Sequence, residues 1–292
     1  DDPYGRRLAG LARGAGLPVT TVGVGPGAGA DVPAGSGVAG DGAGAPDVVV
    51  EVMGAAGPAG LLSRGGQRIR LSGAVDALVE LGLPGRFNAA NAALALVALG
   101  RLRAVRHLPV DSAALTGGFP AVRVPGRMEV VDDDELLAVV DFAHTPHAIT
   151  TVLTELREHT PGRLLVVLGA GGDRDRTKRP AMGEAAARVA DVVVVTDDNP
   201  RSEDPAVIRS AVRSGAERVT GADAARVLEV ADRADAIARA VALAGPGDTV
   251  AVLGKGHEQG QEARGSVRAF DDRAALAGAL RARRVPPREP AR

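Results

Sequence analysis

One segment constrains this chain more than any other: Leu164 to Arg201, which reads LLVVLGAGGDRDRTKRPAMGEAAARVADVVVVTDDNPR. An apolar strand runs into a Gly-rich turn dense in charge, then a helix, a second strand and the polar exit Asp197-Asp198-Asn199-Pro200-Arg201. Both polar loops follow strands. In an open parallel sheet, loops at the carboxyl ends of neighbouring strands lie side by side and form the ligand crevice. Two charged loops one βαβ unit apart therefore predict a single site for a small ligand carrying both signs of charge.

The alternation continues on either side. Apolar runs at 136–142, 164–168, 191–196, 227–230 and 249–253 are separated by Ala-rich helical stretches at 146–158, 180–190, 204–214 and 231–244. This predicts an α/β fold built on a parallel sheet with helices on both faces. Asp204-Pro205 reads as a helix cap followed by a first-turn proline, and Asp271 as the cap of a terminal helix reaching Arg283. The tail Val285 to Arg292, with Pro286, Pro287 and Pro290, is expected to fray.

Upstream the texture differs. Residues 4–15 give a short helical pattern, and Pro18 to Val24 is strand-like. Gly23 to Pro46 is almost entirely Gly, Ala, Pro and Asp, too poor in apolar surface to order itself, and is expected to be a mobile surface loop. Its G-x-G spacings at Gly23, Gly25 and Gly27 have no helix after them and read as low complexity. Strands are expected at Asp47 to Met53, Gln67 to Leu71 and Ala74 to Leu81, then a helix from Asn88 to Leu99 and another, with Pro109 and Asp111 near its start, ending at Gly117. A boundary near Pro120 to Val124 divides the chain into domains 1–122 and 123–292.

Composition removes several functions. The formal charge of −1 and the absence of Trp, with one Tyr and four Phe, leave neither the basic footprint nor the stacking platforms that nucleic acid requires. With zero Cys there are no disulfides, thiolate metal sites or Cys nucleophiles. The longest clean apolar run, Ala92 to Leu99, is far short of the ~20 residues that a bilayer span needs, so no membrane partner is expected. A soluble, cytoplasmic protein is the expectation.

Four loops carry the candidate chemistry. In Gly169-Ala170-Gly171-Gly172-Asp173-Arg174, glycines let backbone N–H groups approach an anion, and Arg174 can hold a carboxylate through two parallel hydrogen bonds. A glycine turn followed by a solvated charge run is the plain alternative. In Asp198-Asn199-Pro200-Arg201, Asp198 and Asn199 can accept from an ammonium and Arg201 can clamp a carboxylate, with Pro200 stiffening the backbone. On spacing alone an ordinary polar loop is as good a reading. Gly254-Lys255-Gly256-His257-Glu258 is not a phosphate loop, because Thr249 stands where the first glycine of G-x-x-x-x-G-K-[ST] belongs and Gly256 follows the lysine; Glu258 remains available for an amine. In Asp141-Phe142-Ala143-His144-Thr145-Pro146-His147, the two histidines flank Pro146, which argues against zinc; Asp141 and His144 suit a ribose, a phosphate or each other, or simply a satisfied structural histidine. Asn88 and Asn91 share a helix face, where capping explains the first and tolerance the second.

In combination these motifs are specific. Gly85-Arg86-Phe87-Asn88-x-x-Asn91, Gly126-Arg127-Met128-Glu129, Asp141-Phe142-Ala143-His144-Thr145-Pro146, Gly171-Gly172-Asp173-Arg174-Asp175, Lys178-Arg179-Pro180, Asp198-Asn199-Pro200-Arg201 and Gly254-Lys255-Gly256-His257-Glu258 resemble the Mur ligase family, in particular its diaminopimelate-adding branch. The resemblance covers nearly the whole chain except the Gly/Ala loop. It implies an ATP-dependent amide ligase of peptidoglycan precursor synthesis, in which ATP phosphorylates a D-glutamyl carboxylate of UDP-N-acetylmuramoyl-L-alanyl-D-glutamate and an amine of diaminopimelate attacks the acyl phosphate. It also implies the later part of a central ATPase domain at 1–122, with the loop 23–46, and a Rossmann-like carboxyl-terminal domain at 123–292. By the same resemblance Asn88 and Asn91 contact adenine, Arg127 lies toward the phosphates, and Asp141 and His144 lie on the nucleotide side. Arg174, Asp198, Asn199, Pro200, Arg201, Gly254 and Glu258 bind diaminopimelate, the Asp-Asn-Pro-Arg motif marking it over lysine.

This sequence departs from the family in places. Phe142 stands where Tyr is usual, and His147 where Asp is usual. The family's P-loop, UDP-sugar pocket, Mg2+ ligands and carbamylated lysine belong to sequence not found here, and the chain opens Asp1-Asp2-Pro3 without an initiator Met, so an amino-terminally truncated ligase, inactive alone, is expected. No catalytic residue and no metal ligand is assigned. The alternatives are a non-catalytic module that binds diaminopimelate or nucleotide, one half of a split enzyme, and, more distantly, a nicotinamide dehydrogenase, for which a G-x-G-x-x-G turn is missing.

Overall fold

The computed structural model describes residues 9, 11–12, 14, 19–24, 48–55, 66–73, 76–106, 116–132, 134–221 and 224–284. The expectations for the helix at 4–15, the loop at 23–46, the helix ending at Gly117 and the tail from Val285 fall wholly or mostly outside these residues. The chain forms two compact units, 1–123 and 124–292.

The first unit has a four-stranded sheet in the order β1 (Val22–Val24), β2 (Val48–Ala55), β3 (Gln67–Gly73), β4 (Ala77–Leu81). β1 runs parallel to β2 and the remaining pairs are antiparallel. Alternate residues of β3 are buried, as expected of a sheet with only one face covered. Helix α1 (Arg86–Val105) supplies the cover: Ala89, Ala92, Ala93 and Leu96 pack with Val48, Val50, Ile69, Leu71 and Val79. It runs on past Leu99, and its start is tied to the sheet by the buried Gln67, whose Nε2 donates to the carbonyls of Leu83 (2.8 Å) and Gly85 (2.7 Å).

The second unit carries the alternation read from sequence. Its six strands are β5 (Glu129–Asp132), β6 (Leu137–Asp141), β7 (Leu164–Leu168), β8 (Val192–Val195), β9 (Arg226–Glu229) and β10 (Thr249–Leu253), in the spatial order β5-β6-β10-β7-β8-β9. All neighbours are parallel except β5 against β6. β7, β8 and β10 are buried at every position, which is why they are written as unbroken Val, Leu, Ala and Thr. Alternate strand residues, among them Val140, Val167, Val194 and Val252, pack under α5 (Arg233–Leu243) and α6 (Asp272–Arg284). Helices α2 (Pro146–Glu158), α3 (Lys178–Ala187) and α4 (Pro205–Ala216) lie against the sheet from the other side. Each fully buried Val or Leu contributes about 1.5–3 kcal/mol, so this two-sided core dominates the unit's stability.

Caps fall where the sequence places them. Asp204 Oδ1 accepts from Ala206 N (2.9 Å) ahead of Pro205, and Asp271 Oδ1 accepts from Arg273 N (2.9 Å). Edge strand β5 was not legible in the sequence, nor was a hairpin of β11 (Gly260–Ala263) and β12 (Ser266–Ala269), turned by Arg264 and Gly265 at φ of 50° and 75°. Two positive φ angles make the tight turn that matches strand twist, but Arg-Gly is a weak signal for it and both strands are polar. No described helix is long and apolar enough to cross a membrane.

Candidate functional site

The strand order brings the carboxyl ends of β6, β10, β7 and β8 together, so four loops meet at one edge of the sheet. Two of them are joined through backbone. Gly172 N donates to Asn199 O (2.8 Å), and a Cβ on Gly172 would stand 2.0 Å from Pro200 O, so only glycine permits this approach. Side chains reinforce the join. The buried Arg179 forks onto Glu203 (3.0 and 2.7 Å), which also accepts from Asp173 N (2.6 Å), while Asp173 accepts from Ser202 N and Oγ (3.2 and 2.7 Å). The Arg179 hydrogen bond, with the Asp173 N–H, holds the Glu203 carboxyl down at about 2. Hydrogen bonding from Ser202 likewise lowers Asp173.

On the acidic side, Lys255 lies fully buried at the foot of the loop after β10. Its Nζ reaches Asn199 Oδ1 (2.9 Å), Glu258 Oε2 (3.2 Å) and Asp198 Oδ1 (3.6 Å). Asn199 Nδ2 donates to Glu258 Oε2 (2.8 Å). Gly254, at φ 115°, leaves room for Asp198: a Cβ there would be 2.8 Å from Oδ2. Beneath them, Arg233 and Asp272 form a fully buried bidentate pair (2.7 and 2.8 Å), and Arg233 also donates to Leu253 O (3.0 Å), at the end of β10.

The expectation that Asn199 accepts from a ligand ammonium needs correcting. Its Oδ1 already receives Lys255 Nζ and Glu262 N (2.9 Å each), which uses both lone pairs. Asp198 and Glu258 are the acceptors left with capacity.

The hairpin sets the cationic side. Arg201 stands at φ 51°, donates its N–H to Glu262 O (3.0 Å) and accepts from Arg264 N (2.7 Å), as if it were an extra strand residue. Its guanidinium donates to Gly172 O (2.7 Å) and lies 3.3 Å from Glu262. Arg174 is exposed and forms no hydrogen bond or ion pair among the described residues. Together Arg174, Asp198, Asn199, Arg201, Gly254 and Glu258 line one cleft of about 260 Å³, with Phe142 and His144 at its wall. Pro200 braces this loop from behind, lining a separate hollow with Arg264 and Arg268. Two carboxylates over one lysine, faced by two guanidinia, suit a small zwitterion.

The residues expected on the nucleotide side divide. Arg127 lies over the Phe142 ring (4.4 Å to its centroid), against which His144 packs edge-on (4.6 Å). Asp141 spends both carboxylate oxygens on backbone, from Met128 N (2.8 Å) and Ala143 N (2.7 Å); burial raises its pKa, partly offset by those two donors and Arg127. Asp141 therefore braces the Gly126–Glu129 turn. In the first unit, Asn88 is buried with Nδ2 on Pro84 O (2.7 Å), whereas Asn91 is exposed. Among the described residues no cluster of three or more His, Asp or Glu side chains could hold a metal ion.

Residues 126–256 match the model of the Mur ligase glutamate ligase domain. A Corynebacterium efficiens protein described as UDP-N-acetylmuramoyl-L-alanyl-D-glutamate–2,6-diaminopimelate ligase is 54% identical over 208 residues, 70% of this chain. Over residues 126–256 this chain belongs to the Mur ligase family. The Streptomyces avermitilis Mur ligase of the same description is 52% identical over 200 residues, 68% of this chain. This chain spans 38% of the length of each of these two relatives. A solved Mur ligase structure, again of a 2,6-diaminopimelate ligase, superposes with a TM-score of 0.55 at 37% identity, covering 82% of this chain and 46% of that one.

Three contributors to this site are not legible in the sequence. Lys255 reads there only as a phosphate-loop lysine, and its burial has no local signal. Glu262 and Arg233 are ordinary charges in sequence; they matter because the hairpin and α5 deliver them under the Asp-Asn-Pro-Arg loop. The spacing of Arg233 after a capping Asp232 hinted only at a helix start.

Proposed function

We propose that this chain is the acceptor-binding part of an ATP-dependent amide ligase that joins 2,6-diaminopimelate to UDP-N-acetylmuramoyl-L-alanyl-D-glutamate. The observation that carries the reading is the single cleft that gathers Arg174, Arg201, Asp198 and Glu258 at the carboxyl edge of the sheet. In it, Arg174 and Arg201 take a carboxylate of the ligand, and Asp198 and Glu258 take the ammonium on the same carbon. The ligand's other amine is left clear to act as the nucleophile. Holding one end in fixed geometry turns the attack on an acyl phosphate into a step within one complex.

ATP, when bound, supplies the phosphoryl group that activates the D-glutamyl carboxylate. Arg127 and His144, gathered on Phe142, are suited to an anionic group on that side, and Asp141 keeps their turn in place. In the first unit, Asn91 is free to meet a base, with Asn88 anchoring the helix start beside it. The described residues offer no Mg2+ ligand set, so no step is assigned to the ion. This sequence has no phosphate loop, and we assign it ligand binding without turnover of its own.

Calorimetric titration tests the reading. 2,6-Diaminopimelate is expected to bind, and 1,5-diaminopentane, which keeps both amines and lacks both carboxylates, about tenfold more weakly or worse. Arg201→Ala removes a charge-assisted hydrogen bond worth about 1.5–3 kcal/mol and is expected to shrink the difference. Equal binding of 1,5-diaminopentane, or a variant that discriminates as well as the native chain, would sink the proposal.

A further inference from the structure

Lysine is rare in this chain, which has two, Lys178 and Lys255, against 33 arginines. At 255 the difference matters. An arginine fork is planar and long, whereas an ammonium is a compact charge with three donors that can point in three directions. Lys255 uses them that way, toward Asn199, Glu258 and Asp198, and none of its surface is exposed. It is absent from the cleft lining, so its charge serves the site from behind.

The groups around it account for their charge. Arg233 is neutralised by Asp272 beneath, and Arg201 lies beside Glu262. Lys255 alone then faces two carboxylates, Asp198 and Glu258. The unit has one negative charge to spare, the complement of one ligand ammonium. Lys255 and Glu262 N also occupy both lone pairs of Asn199 Oδ1, which turns Nδ2 toward Glu258 and pins that carboxylate at its inner oxygen.

We propose that Lys255 is a positioning residue for ammonium recognition: it locks the Asn199 amide and holds Asp198 and Glu258 as paired acceptors for one ligand ammonium. The inference rests on the diaminopimelate reading above. Removing Lys255 has two opposed effects. A like charge near the ligand ammonium disappears, which favours binding; but two close carboxylates lose their counter-ion, and Glu258, with 37% of its side chain exposed, can swing into water. Loss of geometry outweighs the charge term, because the repelled pair no longer converges on one point.

The test compares 2,6-diaminopimelate with pimelate, which keeps both carboxylates and lacks both amines, by calorimetry on the full chain and on Lys255→Met. The native chain should prefer the diamine about tenfold or more. In the variant the preference should fall to within about twofold, with pimelate binding little changed. Lys255→Gln, which can still donate to Asn199, should fall between the two and carries the comparison if the Met variant does not fold. A variant that binds the diamine as tightly as the native chain, or more tightly, overturns the role of Lys255 and leaves the diaminopimelate reading standing. A native chain that does not distinguish the two ligands overturns the reading itself.

Discussion

At the scale of single residues, charge is used in two ways. Arg174 and Arg201 present guanidinia to the cleft, while Arg179, Arg233 and Lys255 are buried and spend their donors on the protein. The type of residue was legible in the sequence; which use it served was not, because burial is decided by elements far away in the chain. Asn199 shows this best. As one letter of Asp-Asn-Pro-Arg it reads as a ligand acceptor, and only the arrival of Lys255 and the hairpin backbone at its oxygen makes it a brace. Glu203 gives a prediction at this scale. Its pKa falls from 4.5 to about 2, so its stabilising effect is complete above 4.5 and is lost as pH drops toward 2. Thermal melting of Glu203→Gln should lie below that of the native chain by a constant margin above pH 5, and the margin should shrink between 4.5 and 2. A margin that stays constant across that acid range would remove Glu203 from the loop join.

At the scale of elements, the site depends on loops that touch without side chains between them. Gly172 against Pro200 is the closest such contact on the ligand edge. Gly172→Ala must push the two loops apart, and is expected to weaken diaminopimelate binding about tenfold or more while the far-UV circular dichroism of the sheet is unchanged. Native affinity in that variant would show that the loops need not touch. The strands of the second unit were legible because a parallel sheet buried on both faces leaves no alternation to misread, as in Val192–Val195 and Thr249–Leu253. The β11–β12 hairpin was not, since its residues Gly260–Ala263 and Ser266–Ala269 are polar and owe their pairing to an Arg264-Gly265 turn and to Arg201. Edge strand β5 was not legible for a different reason: four residues carry too short a pattern.

At the scale of the molecule, the two units follow different rules. The second is a parallel sheet with helices on both faces, and its ligand edge follows from strand order. The first is largely antiparallel among its described strands, with α1 as cover, and its strands were legible in sequence while their direction was not. A near-neutral chain that collects opposite charges in one cleft offers complementary charge to a small zwitterion. A crystal structure of this chain with 2,6-diaminopimelate would show the orientation of the ligand in that cleft. One carboxylate is expected on Arg174 and Arg201, its neighbouring ammonium against Asp198 and Glu258, and the second amine free of protein acceptors. A ligand held in the reverse sense, or bound away from these four residues, would contradict that expectation.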